Sequence, residues 1–254
     1  MKTDANMYKI FHTLVPRDGM NMTAAEAARF ALAWDDFAAT LADLASNSDG
    51  FRFYTRTPRT EPAPLSGPPS DLRYRYEAVD VLAFDTLHNA ASFKDVACKL
   101  EADFLDSSSA WLLCEERVAV NGAPKGPLDT GRGLRVITSM RRRPGMEPSA
   151  FRRHWDDHAL NVIATQGISR YVANPLVDAE YENTQPPVDG FVEAWFRTTD
   201  DAHACFTDPL MTGAQQEHNA VFIDTRTFFS IRCMDWEQWV RGERAHTAVH
   251  SSVS

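Results

Sequence analysis

No apolar run in the chain approaches the roughly 20 residues needed to span a bilayer. The opening Met1-Lys2-Thr3-Asp4-Ala5-Asn6 lacks the apolar core of a secretory signal. Cysteine is scarce: Cys98, Cys114, Cys205 and Cys233 are scattered without metal or redox spacing. That pattern reads as buried free thiols in a reducing compartment rather than as disulfides. A Gly-rich phosphate loop, a dinucleotide fingerprint, a CxxC pair and a nucleophile elbow are all missing. Positive charge is short as well, with 26 Lys and Arg against 35 Asp and Glu and a net charge of −9. Sequence-independent nucleic-acid binding needs a basic face to displace counterions, so that class is excluded. The expectation is a cytoplasmic protein with a small-molecule substrate, no nucleic-acid or membrane partner, no metal and no cofactor.

What is present is ordinary globular composition, 44% hydrophobic and 24% charged over 254 residues. That length allows one large domain or two small ones. Residues 121–133, Asn-Gly-Ala-Pro-Lys-Gly-Pro-Leu-Asp-Thr-Gly-Arg-Gly, form the best linker candidate and divide the chain nearly in half. The halves match each other. Phe30-Ala-Leu-Ala-Trp-Asp-Asp-Phe-Ala38 parallels Phe151-Arg-Arg-His-Trp-Asp-Asp-His-Ala159. Gly19-Met20 parallels Gly145-Met146, Ala83-Phe84 parallels Trp195-Phe196, and Phe104-Leu-Asp106 parallels Phe222-Ile-Asp224. Four anchors in one order indicate a tandem repeat. The boundaries read 1–120 for the first copy, 121–133 for the linker, 134–240 for the second copy and 241–254 for a polar tail.

Each copy reads strand, helix, strand, then strand, helix, strand. In the first copy the strands fall at Tyr8 to Val15, Phe51 to Thr55, Tyr76 to Phe84 and Ser109 to Val118, with the second helix over Leu87 to Leu100. Thr23 and Glu26 form a capping box, and Phe30, Trp34, Phe37, Leu41 and Leu44 make one stripe of the first helix. In the second copy the strands are expected at Leu134 to Met140, Ile168 to Val172, Phe191 to Arg197 and Thr225 to Met234. Its first helix has Pro148 in the opening turn, where a missing N–H costs nothing, and short helices follow Thr199 and Pro209. Two such βαβ units give a four-stranded antiparallel sheet with both helices on one face, the ferredoxin-like split βαβ. The strands are apolar on both registers (Ile10, Leu14 and Phe11, Val15), so neither sheet face is expected to be solvated. The fold class expected is α+β: two ferredoxin-like units in one chain, which supplies both sheets for packing face to face.

Met140-Arg-Arg-Arg-Pro-Gly-Met-Glu-Pro-Ser-Ala-Phe-Arg-Arg-His-Trp-Asp-Asp-His-Ala159 resembles the opening motif of EthD-like domains in the dimeric α+β barrel superfamily. Val188-Asp-Gly-Phe-Val-Glu-Ala-Trp-Phe196 resembles the third strand of that family, and Phe222-Ile-Asp224 the entry to its last strand. The first half is similar only as a degenerate copy, with Phe37 where the motif carries His158 and Val15-Pro16-Arg17 for the basic strand end. The resemblance implies that the two ferredoxin-like units form a pseudo-dimeric α+β barrel within one chain. It implies small-molecule chemistry without fixing one reaction, since relatives include cyclases, cofactor-free monooxygenases, isomerases, decarboxylases, a lyase and haem-handling enzymes.

His158 shares a helix stripe with Phe151, Trp155 and Val162, at steps of four, three and four. An imidazole on an apolar face must find a partner or line a cavity, and there it can act as general acid or base. The alternative is a histidine bonded to a strand carbonyl. Tyr171, on the second strand of the better copy, is either an oxyanion donor or a lining aromatic. His218 and Asn219 stand where the family carries an acidic pair, and belong either to the site or to an exposed helix end. His154 and His158 have the i, i+4 spacing of metal ligands, but His154 lies on the margin of the stripe and reads as solvated. His12, among apolar strand residues, suggests a small cavity in the first half. The expected catalytic residues are therefore His158, Tyr171 and His218, with Trp155, Phe151, His12 and Asn219 contacting substrate.

The function expected is that of a cofactor-independent lyase, isomerase or cyclase working by acid–base chemistry on a small aromatic or carbonyl compound, in catabolism or secondary metabolism. The alternatives are a cofactor-free or haem-linked monooxygenase and a non-catalytic binding protein. A homodimer of the two-domain chain through its outer helices is compatible with either. The working pocket is expected in the second half.

Overall fold

β-branched and aromatic residues dominate Tyr8–Leu14, the first strand (β1). In the computed structural model, which describes residues 7–59, 76–100, 102–121, 134–182, 185–233, 237–240 and 243–246, it is followed by helix α1 (Ala24–Ser46). Thr23 Oγ1 accepts from the Glu26 N–H at 3.3 Å and Glu26 Oε2 accepts from the Thr23 N–H at 2.7 Å, the reciprocal cap the sequence indicates. Then come β2 (Phe51–Pro58), β3 (Ala78–Phe84), α2 (Leu87–Ala97) and β4 (Ala110–Glu115). The second set is β5 (Arg117–Asn121), β6 (Leu134–Met140), α3 (Pro148–Ile163), β7 (Ile168–Pro175) and β8 (Gly190–Phe196). It continues through α4 (Thr199–Thr207), α5 (Pro209–Thr212), α6 (Ala214–Phe222) and β9 (Phe229–Cys233). The last elements are β10 (Glu237–Val240) and β11 (Glu243–His246).

Two antiparallel sheets result, ordered β11-β10-β2-β3-β1-β4 and β5-β7-β8-β6-β9. Each contains the four-strand ferredoxin-like order, β2-β3-β1-β4 in one and β7-β8-β6-β9 in the other. In the first unit both helices cover one face. Asp80 and Phe84 have the same strand parity; Asp80 bonds Trp34 of α1 and Phe84 packs on Phe93 of α2 at 5.1 Å. In the second, Met140 packs in the cluster of Phe151 and Trp155 while Val136, of the same parity, packs with Ala202 and Cys205 of α4. The opposite faces are also withdrawn from solvent: Lys9 is 1% and Arg135 2% exposed, the latter paired with buried Glu193 at 2.5 Å.

The repeat persists in detail. Both second strands carry an irregularity at their start, between Phe51 and Phe53 in β2 and between Ile168 and Arg170 in β7. A bulge inserts one residue and shifts the alternation that follows. Phe51 pairs with Phe84 and Tyr54 with Leu82, and Ile168 pairs with Phe196 and Tyr171 with Ala194. Tyr54 and Tyr171 are thereby turned toward their helices. The isolated bridges Pro16–Leu105 and Arg142–Ile223 are likewise equivalent.

Some elements differ from the expectation. Ser109 to Val118 is not one strand: the chain leaves the first sheet after Glu115, and Arg117–Asn121 pairs with β7 in the second. Thr225 to Met234 begins with a 3-10 turn at Thr225–Thr227, so the strand starts only at Phe229. Glu243–His246 is a strand where a polar tail was expected, and β10 joins β2 of the first sheet. Cys114, Cys205 and Cys233 are buried free thiols, whereas Cys98, just past α2, is exposed. Most of the linker (122–133) and the stretch 60–75, which holds Pro62, Pro64, Pro68 and Pro69, lie outside the described residues. Among the described residues no helix is long and apolar enough to cross a membrane.

Candidate active site

The second unit gathers its chemistry around Phe222, the last residue of α6 and fully buried. Its position follows from the chain after it. Arg143 N–H donates to Phe222 O at 2.8 Å and Asp224 N–H to Arg141 O at 2.9 Å, so the end of α6 is sewn to the end of β6. The basic strand end anchors the turn that follows it. Arg142 pairs with fully buried Asp189, and its Nε donates to Met146 O at 2.7 Å. Between these, Pro144-Gly145 makes the turn closed by Met146 N–H to Arg143 O, with Gly145 at φ +82°. Only glycine adopts that φ without strain.

Around Phe222 stand three imidazoles. Ring centroids lie 5.7 Å away for His158, 5.9 Å for His154 and 5.3 Å for His218. His158 and His218 are 5.7 Å apart, His154 and His218 6.1 Å. His158 is 8% exposed, and its Nδ1 is buried without a hydrogen-bond partner among the described residues. His218 Nδ1 and Asn219 Oδ1 are in the same condition. Burial pushes the His158 imidazole down to about 4, helped by repulsion from His218, so at neutral pH it is an uncharged base.

Tyr171 sits in the cluster of Met140, Phe151, Trp155 and Phe222. Its oxygen accepts from Trp155 Nε1 at 3.0 Å. Burial raises the phenol well above its ordinary value, so it stays protonated and its own hydrogen is left to donate. Trp155 lies against backbone: a Cβ on Gly190 would stand 2.7 Å from its ring.

The structure thus brings His158, Tyr171, His218, Trp155, Phe151 and Asn219 together in one unit and leaves His12 in the other. His154 sits half-buried within the ring cluster rather than on a solvated margin. The sequence signal for it was the i, i+4 spacing itself. Among the described residues no group of three or more His, Cys, Asp or Glu side chains could hold a metal ion.

The first unit repeats the frame with other contents. Phe104 packs on Phe30 at 5.6 Å and Phe37 at 5.8 Å, as Phe222 does on Phe151 and His158. Trp34 and Tyr54 correspond to Trp155 and Tyr171, but both donate to Asp80, at 3.2 and 2.9 Å, instead of bonding each other.

Residues 143–226 match the EthD domain family. The matched stretch lies within the second unit. The fold agrees over nearly the whole chain. A crystal structure of an anthrone oxidase-like protein is 9% identical, with 97% of this chain and 98% of that one covered and a TM-score of 0.62. A provisionally assigned monooxygenase from Fusobacterium nucleatum is 7% identical, with 96% and 99% covered and a TM-score of 0.53. These likenesses show the fold alone. No curated protein sequence matches the chain.

Proposed function

We propose that the second unit is a cofactor-independent enzyme that removes a proton from a small aromatic or carbonyl compound, with His158 as the base. The observation that carries this reading is His158 itself: a neutral imidazole, buried in an aromatic shell, with an unpartnered ring nitrogen. A histidine serving only the core would bond a carbonyl or be replaced by a hydrocarbon, as Phe37 replaces it in the first unit.

The step is a transfer of one proton. His158 takes it from an acidic C–H or O–H, and the electron pair remains on the substrate as an enolate or phenolate. Tyr171 donates its hydrogen to the developing oxyanion, in a setting where such a bond is worth far more than in water. An imidazole of low basicity suits this step because the new anion beside it raises its proton affinity as the ion pair forms. Trp155 fixes Tyr171, and His218 holds the second place beside His158. Returning the proton to another atom gives isomerase chemistry. Expelling a leaving group gives a lyase, and attack on an internal carbonyl gives a cyclase.

A second reading shares the first step. The fold likeness to an anthrone oxidase-like protein favours capture of the carbanion by dioxygen, which accepts its electrons. Haem fits less well. A metal-ligating histidine ordinarily donates its other N–H to a carbonyl, carboxylate or water, and neither His158 nor His218 has such a protein partner on Nδ1 among the described residues.

The test is His158→Phe, the choice the first unit makes. The variant should fold, with stability changed by less than about 1.5 kcal/mol because volume is nearly conserved. Solvent hydrogen–deuterium exchange into a panel of phenols, anthrones and β-dicarbonyl compounds should fall by roughly 10² to 10⁴. Oxygen uptake in the same reactions separates the two readings. A folded variant that exchanges as fast as the parent removes His158 from the mechanism.

A further inference from the structure

The first unit contains a buried acid–base pair that the chemistry above does not use. Asp80, fully buried in the middle of β3, receives Trp34 Nε1 at 3.2 Å and Tyr54 Oη at 2.9 Å. Directly across the strand pair is His12, 2% exposed, with Nδ1 3.5 Å from Asp80 Oδ2. That is ion-pair distance, longer than a hydrogen bond, and Nδ1 makes no hydrogen bond among the described residues. Catalytic pairs often stand this far apart before a ligand binds and tighten afterwards. The imidazole lies flat on Trp111, with centroids 3.8 Å apart and planes 7° from parallel. It is 5.7 Å from Phe37.

Phe37 is the counterpart of His158. The strand positions of His12 and Asp80 are filled in the second unit by Thr138 and Val192. Each unit therefore keeps one buried imidazole against its aromatic frame, supplied by a helix in one and by a strand in the other. A structural need does not explain the exchange. Asp80 already satisfies Trp34 and Tyr54, and the second unit joins the same two residues with no carboxylate at all. Two sheet positions that hold a threonine and a valine in one copy hold a histidine and an aspartate, packed together, in the other.

We infer that the first unit has a second small-molecule site in which His12, oriented by Asp80, receives the proton of a planar aromatic hydroxyl compound. With the carboxylate facing Nδ1, the imidazole carries its hydrogen there and offers Nε2 as acceptor. Half-buried Trp111 and Phe104, with Phe30 and Phe37, supply aromatic surface for a flat ring. The O–H bond breaks toward Nε2 and the electron pair stays on the phenolate oxygen. Asp80 acts through His12 as a positioning residue. The argument from exchanged imidazoles rests on the role assigned to His158, while the dyad geometry stands without it.

The full chain is titrated with 4-nitrophenol, whose visible band reports ionisation, and binding is counted by calorimetry. The parent should bind one equivalent per unit, and His158→Phe should keep the first-unit equivalent. His12→Phe should lose that one, and the double variant should lose both. Asp80→Asn, which keeps the packing, should still bind but with the ionised band of the first-unit probe reduced about 10-fold or more, a change that a packing role for Asp80 would not produce. His12→Gln replaces His12→Phe if the latter fails to fold. If a folded His12 variant binds as many equivalents as the parent, or if no equivalent depends on His12, the proposal is overturned. If His158→Phe loses nothing while His12→Phe loses one equivalent, this site stands and the role of His158 falls.

Discussion

His158 is held in the form that its surroundings tolerate, and pH exposes the cost. Its ordinary value of 6.5 is lowered to about 4 by burial and by His218. Between those limits the unfolded chain binds a proton that the folded chain refuses, so stability rises with pH. The protein should therefore lose stability as pH falls from about 6.5 to about 4, by on the order of 3 kcal/mol for this group. Below that the contribution levels off. Chemical denaturation across this range checks it, and His158→Phe should flatten that part of the profile. Activity should behave differently. The base form of the folded enzyme persists down to about 4, so kcat/KM should stay level from neutrality to about pH 5. An acid limb centred near 6.5 would mean that the working base is not a buried imidazole. His158 could be found in the sequence because it interrupts an apolar stripe with a polar ring. Asp80 offered the same kind of signal, one carboxylate inside Ala78-Val-Asp-Val-Leu-Ala-Phe84. Its partners, however, lie 46 residues away at Trp34 and 26 away at Tyr54, and only pairing across the sheet shows them.

At the scale of elements, the site depends on how closely α3 lies on β8. Gly190 opens β8, and a Cβ there would stand 2.6 Å from Asn174 O and 2.7 and 2.9 Å from the Trp155 ring. The first of these is backbone of the neighbouring strand and cannot rotate aside. Gly190→Ala should destabilise the protein by about 1–3 kcal/mol. It should also disturb the 3.0 Å bond from Trp155 to Tyr171, which a shift in tryptophan fluorescence together with the denaturation midpoint would record. Unchanged values for both would mean that α3 has room to move. Helices α1 and α3 were legible because their caps and stripes are local: Thr23 with Glu26, Pro148 in a first turn, aromatic residues at three- and four-residue steps. The strand breaks were not. Glu115, Glu116 and Arg117 carry no turn residue, and nothing local says that β4 and β5 serve different sheets. The helix after Pro209 was legible, but the placement of α6 was not, because it comes from the bridge of Ile223 to Arg142.

At the scale of the molecule, duplication accounts for the matched bulges, bridges and aromatic frames, yet the two units are not two separable halves of the chain. The first unit takes residues 7–59 and most of 76–115 together with β10 and β11. The second takes β5 along with everything described between β6 and β9. A cut within residues 122–133 therefore strips the first sheet of β10 and β11 and the second of β5. The N-terminal piece loses β10, whose Trp239 stacks on Tyr54 with centroids 4.7 Å apart. The C-terminal piece loses β5, which covers the edge of β7 and brings Arg117 to Asp156 at 2.9 Å. Each piece would carry an uncovered strand edge, a template for aberrant pairing. Expressed alone, each should aggregate or form oligomers; expressed together, they should yield a soluble complex, because each supplies what the other lacks. Size-exclusion chromatography of the pieces, alone and mixed, decides the matter. Two monomeric, cooperatively folding pieces would show that β5 and β10 are ornaments on independent domains rather than parts of the sheets they join.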